Sequence, residues 1–117
     1  MIAFDHLQVP CSDPEATARW LGEILGVTVE RDGADGEFAC LRLDARVQLL
    51  FTADPAPAPL HFALRASPSE LATIVGRLDV YGNDPDHPDN RETSDPLGGA
   101  GRVYFVGPDR HLFEVCA

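Results

Sequence analysis

Positive charge is scarce in this chain: nine Lys and Arg face nineteen Asp and Glu, a formal net charge of −10. Such a field repels phosphate, which excludes nucleic acid and anionic membrane surfaces as partners and leaves neutral or cationic small molecules. Cysteine is scarce as well. Cys11, Cys40 and Cys116 are odd in number and form no CxxC pair, so they read as buried inert thiols, and the fold is expected to stand without disulfides in a reducing cytoplasm. No apolar run approaches the roughly 20 residues that cross a bilayer, and no charged-then-apolar leader opens the chain, so a soluble cytoplasmic protein is expected. There is no G-x-S-x-G, P-loop, HExxH or dinucleotide fingerprint, which removes support for serine hydrolase, NTPase, zincin and Rossmann readings.

What the chain does have is repetition. With 117 residues and 44% hydrophobic content it can build one domain's core. A shift of 55 residues carries His6, Ser12 and Glu15 onto His61, Ser67 and Glu70. Leu7 and Val9 fall on Phe62 and Leu64, so the apolar parity of the strand before each serine repeats too. Ser12-Asp13-Pro14-Glu15 and Ser67-Pro68-Ser69-Glu70 both read S-x-x-E, the capping box that opens a helix. The first helix runs to Leu25 with Gly26 placed to end it, and the second carries Leu71, Ile74, Val75 and Leu78 on one face. Strands are expected at Val27–Arg31, Glu37–Leu43 and Arg46–Phe51 in the first half. Their counterparts in the second are expected near Leu78–Tyr81, at Arg102–Val106 and at His111–Cys116. The class is therefore α+β: two modules, about 1–54 and 59–117, each strand, helix and three strands, joined by the stiff ADPAPAP connector. The loop 82–100 is long for a compact domain and reads as a lid or as solvated acidic surface, with His87 among Asp84, Asp86 and Asp89.

Strand parity then sorts the polar residues. His6 and Gln8 share a face opposite Leu7 and Val9; His61, Ala63 and Arg65 share a face opposite Phe62 and Leu64; Glu114 lies opposite Phe113 and Val115. If the apolar faces pack on the helices, His6, His61 and Glu114 point to the other side of the sheet. Two imidazoles and one carboxylate hold a divalent first-row metal and leave coordination positions open for substrate. In the first half, Gln48 of RVQLLF takes the place of Glu114 if Val47 and Leu49 face the helix, as a fourth ligand or a hydrogen-bond partner of the ligands. Arg65 is a candidate for an anionic substrate group, Gln8 for a further substrate contact, and Tyr104 for an acid or base. His111 has the wrong parity for a ligand and reads as a turn or surface residue.

These residues resemble a known pattern. FDHLQVPCSDPEATARWLGEILG, LHFAL and GRVYFVGPDRHLFEV are similar to the opening strand and helix, the second-module opening and the closing YF-DPDGH-EL signature of the vicinal oxygen chelate superfamily. That superfamily holds glyoxalase I, bleomycin-resistance proteins, fosfomycin thiol transferases and extradiol dioxygenases. The resemblance spans nearly the whole chain. It implies a single glyoxalase-like domain over 1–117, with two βαβββ modules forming a half-open β-barrel around a central cavity. It also implies a homodimer, with modules paired within the chain or swapped across the dimer, and a divalent ion (Zn, Ni, Mn or Fe) on His6, His61 and Glu114. Two positions depart from the signature: Gly107 replaces its first Asp and Arg110 its turn glycine.

The expectation is a metal-dependent glyoxalase-like lyase or isomerase acting on a small oxygenated substrate, with Glu114 doubling as base. The alternatives are an antibiotic-binding protein of the bleomycin-resistance kind, suited by the acidic balance to a cationic drug, and a fosfomycin-type thiol transferase.

Overall fold

The computed structural model describes residues 1–81, 91–92 and 101–117. The acidic stretches 82–90, with His87, and 93–100 lie outside the described residues. The chain divides into two compact units, Met1–Ala58 and Pro59–Ala117.

The first unit runs β1 (His6–Cys11), α1 (Pro14–Leu25), β2 (Val29–Asp32), β3 (Phe38–Arg42) and β4 (Gln48–Ala53). Its sheet has the order β1-β4-β3-β2, with β1 and β4 parallel and the other pairs antiparallel. Pro14 explains where α1 starts: it has no N–H to lose and its fixed φ suits the first helical position. The cap is therefore Asp13, whose Oδ1 accepts the Ala16 N–H at 3.2 Å, and not the expected Ser12. Glu15, freed from the capping role, pairs with Arg31 of β2, and this contact holds its carboxyl below the usual range. Gly26 ends the helix in the left-handed region, φ 74°. Thr17, Ala18, Leu21, Gly22 and Ile24 are buried on α1, and Val9, Cys11, Leu41, Leu49 and Phe51 are buried on the strands.

The second unit repeats the plan: β5 (His61–Arg65), α2 (Pro68–Tyr81), β6 (Arg91–Glu92), β7 (Arg102–Val106) and β8 (Leu112–Cys116). The sheet order is β5-β8-β7-β6, again with the first pair parallel. Here the capping box forms as the sequence predicts. The Ser67 hydroxyl accepts the Glu70 N–H, and Glu70 Oε1 accepts the Ser67 N–H, both at 3.2 Å. The strand expected near Leu78–Tyr81 is instead the end of α2. Leu78 extends the stripe of Leu71 and Ile74 by one more turn and is buried with them, so helical periodicity prevails over local strand propensity. Phe62, Phe105 and Phe113 stack beside this helix-facing core, with ring centroids 5.3 Å and 5.5 Å apart for the two contacts of Phe113.

Candidate functional site

Strand pairing fixes which side chains share the face turned away from each helix. In the second unit Ala63, Glu114 and Tyr104 are register partners across β5, β8 and β7, and so are Arg65, Cys116 and Arg102. His61 stands two residues before Ala63 and so on the same face. The expected convergence inside this unit is present: His61 Nε2 lies 3.1 Å from Glu114 Oε1. The carboxylate is buried, 8% exposed, while the imidazole is 53% exposed. A buried carboxylate needs partners, and Glu114 has a second one: Arg102 Nη1 donates to its Oε2 at 2.5 Å. One oxygen is thus held by a guanidinium and the other faces an imidazole nitrogen. Tyr104 is half-buried opposite Glu114, its ring 6.3 Å from that of His61. Arg65 is exposed on the same face.

In the first unit His6 and Gln48 are direct register partners, and Gln8 pairs with Leu50. His6 Nδ1 bonds to Asp5 Oδ2 at 2.7 Å, which leaves Nε2 as its outward-facing nitrogen. Gln48 has other work: its Nε2 donates to Asp32 Oδ2 at 2.7 Å and its Oε1 accepts from Arg42 at 3.3 Å. Arg42 also pairs with Glu30. These bonds tie β2, β3 and β4 together across the sheet. Asp32 is held below the ordinary carboxylate range, chiefly by the Gly33 N–H and then by Gln48. Burial pushes the Cys40 thiol on this face up.

The pairing also corrects one correspondence. Counting along the strands from each histidine, His6 pairs with Gln48 and His61 with Leu112. The first-unit counterpart of Glu114 is therefore Leu50, two residues beyond Gln48. Leu49 and Phe51, not Val47 and Leu49, match the helix-facing Phe113 and Val115. Gln48 shares the face of His6 but stands where the second unit has Leu112.

His111 is a second correction. It is fully buried, and its Nδ1 accepts the Leu60 N–H at 2.9 Å, bracing the entry to β5. Three participants were missed from sequence: Arg102, Asp5 and Arg42. Arg102 had a readable signal, because it alternates with Val103 on β7 and so shares Glu114's face. Asp5 adjoins His6 but precedes the strand, where parity says nothing.

The described part of the chain has no helix long and apolar enough to cross a membrane. No family model matches the chain, and no curated protein matches it. Solved structures do. Oxidase ChaP-H1 is 30% identical with a TM-score of 0.83, over 100% of this chain and 96% of that one. Oxidase ChaP-H2 is 28% identical with a TM-score of 0.82, over 99% and 93%. A glyoxalase/dioxygenase from Nostoc punctiforme shares the fold at 19% identity, with a TM-score of 0.74 over 97% of this chain and 89% of that one.

Proposed function

Because the chain belongs to the vicinal oxygen chelate superfamily of glyoxalases, bleomycin-resistance proteins and dioxygenases, we propose that it is a metal-dependent glyoxalase-like enzyme of the lyase or isomerase type. The proposed substrate is small and offers paired oxygens, and the metal-holding residues are His6, His61 and Glu114. The observation that carries this reading is the buried Glu114 carboxylate with Oε1 facing His61 Nε2 at 3.1 Å. That donor pair suits a divalent first-row ion, because Arg102 takes Oε2 while Glu114 Oε1 and His61 Nε2, bonded to each other at 3.1 Å, are the oxygen and nitrogen donors such an ion prefers. His6 joins them through its repeat correspondence with His61, with Asp5 on Nδ1 setting the tautomer that frees Nε2. Zn, Ni, Mn and Fe all suit two nitrogens and one carboxylate. When bound, such an ion polarises a substrate oxygen and stabilises negative charge developing there.

The chain's own groups do the rest. Arg102 holds the carboxylate through Oε2, and Glu114 doubles as base only while Oε1 is off the metal, when that oxygen takes a proton from the substrate. Tyr104, the register partner of Glu114 on the neighbouring strand, would donate a hydrogen bond to a substrate oxygen. Gln8 and Arg65 extend the same faces as substrate contacts, Arg65 for an anionic group. We take the protein to be a cytoplasmic homodimer.

A second reading, an oxidase on the same residues, is favoured by the likeness to the two oxidases ChaP-H2 and ChaP-H1, at 28% and 30% identity. Metal analysis of the purified protein tests both. About one ion per chain, lost in His61→Ala, is expected, and oxygen consumption with substrate separates oxidase from lyase. A metal-free protein that binds cationic antibiotics equally well before and after His61→Ala would overturn the enzymatic reading.

A further inference from the structure

The hollow at the start of β1 touches the chemistry above only through Asp5, which orients His6. It measures about 440 Å³ and is lined by Phe4, Asp5, Arg42, Arg46 and Gln48, all from the first unit. That volume lies within the roughly 300–1,000 Å³ of small-molecule sites. Gln48 is the register partner of His6, so the hollow adjoins that histidine on the same face of the sheet.

Its charges are unevenly committed. Asp5 is bonded to His6. Asp44, beside Arg46 in the β3–β4 turn, spends Oδ1 on the backbone N–H groups of Arg46 and Val47, at 2.6 Å and 2.8 Å. Arg42 uses Nε toward Glu30 and Nη2 toward Gln48, which leaves the donors of Nη1. The Arg46 guanidinium makes no hydrogen bond or ion pair among the described residues. Asp44 keeps its charge beside them, held low by the Arg46 and Val47 N–H groups and then by the Arg46 and Arg42 guanidiniums, so what remains for a ligand is a set of donors that no hydrogen bond occupies, not an excess of positive charge. The hollow also holds Phe4, an aromatic side chain 63% exposed. An uncommitted guanidinium and an uncovered ring in one hollow match a ligand that is anionic at one end and apolar along its body.

We propose that this hollow is a binding site for a small organic carboxylate. Arg46 and Nη1 of Arg42 hold the carboxylate, and Phe4 covers the aryl or alkyl body. As a binding site it stands on its own; as a substrate subsite it rests on the enzymatic reading above and narrows the substrate to an oxygenated acid.

The test is a titration of the ¹⁵N-labelled full chain, in chelator-containing buffer, with benzoate, hexanoate and the uncharged benzamide. Saturable amide shifts at Asp5, Arg46 and Gln48 are expected with either acid, with benzamide at least tenfold weaker. Arg46→Gln should weaken benzoate at least fivefold, and Phe4→Ala should weaken benzoate while leaving acetate unchanged. Failure of both acids to saturate, equal binding of benzamide, or unchanged benzoate binding by a folded Arg46→Gln protein would each overturn the site. His61→Ala should bind benzoate as the parent does, so loss of the metal reading leaves this result standing, and the reverse also holds.

Discussion

The two units share one plan and use it differently. On the helix-free face of the second, the central carboxylate is Glu114, 8% exposed and held between Arg102 and His61. In the first unit the matching position is Leu50, and the polar groups have moved outward to the half-exposed set of Asp32, Gln48, Arg42 and Glu30. The difference is one of setting. A buried ion pair cannot lose one partner without leaving the other desolvated, whereas a half-exposed pair is screened and replaced by water. The second unit is thus built around a charge it must keep satisfied, and the first around hydrogen bonds that mainly tie its strands.

Removing one arginine from each unit breaks the comparison most sharply. Arg102→Leu strands a buried carboxylate and should cost about 3–5 kcal/mol. Arg42→Leu, whose guanidinium and Glu30 partner are both about half exposed, should cost less than about 1 kcal/mol. Urea unfolding of the two variants measures the difference. Equal costs would mean that Glu114 finds other compensation and that its burial carries no special demand.

The helices provide a second contrast. Gly22 of α1 lies where an added Cβ would meet Val27 O at 2.6 Å and Leu41 Cδ2 at 3.1 Å, so helix and strand approach as closely as they do only because no side chain intervenes. Gly76 of α2 has nothing within 4 Å of the same atom. Gly22→Ala should therefore destabilise by about 1–3 kcal/mol through overpacking. Gly76→Ala should stabilise by about 0.5–1 kcal/mol, by helix propensity alone. Thermal unfolding of both variants reads the opposite signs directly.

Much of this was legible in the residues, for reasons that can be named. Strand parity placed His61 and Glu114 on one face because period-two alternation survives whatever packs around it, and the 3.1 Å contact follows from that placement. The capping box at Ser67 was equally local. Register was not legible, because the run Val47 to Phe51 is apolar at every position but Gln48, and an apolar run does not say which residue pairs with His6. The role of Gln48 depends on that pairing and emerged only with it, whereas Arg102 could have been read from its alternation with Val103 on β7. The tail of α2 was misread for a related reason: Leu78 to Tyr81 suits a strand by composition, and only packing on its own sheet decides for the helix.

The smallest effect is expected at the β7–β8 turn, where the second unit departs from the superfamily's closing signature. Asp109 and Arg110 both sit in the left-handed region, at φ 61° and 63°. Two successive positive φ values are the demand of a tight reversal, met best by Asp-Gly. Asp tolerates the conformation because its short side chain bonds locally, whereas Arg gains nothing there to offset the crowding of Cβ. Its side chain is exposed, so Arg110→Gly should relieve backbone strain at little loss of contact. The greater freedom of glycine in the unfolded chain offsets part of that gain, which leaves a net stabilisation of about 0.5 kcal/mol. The reversal between β3 and β4 is the control. It is closed by Asp44 and has no positive φ among its residues, so Ala45→Gly should destabilise slightly where Arg110→Gly stabilises. Matching signs from the two variants in urea unfolding would show that the strain at Arg110 is already compensated within its hairpin.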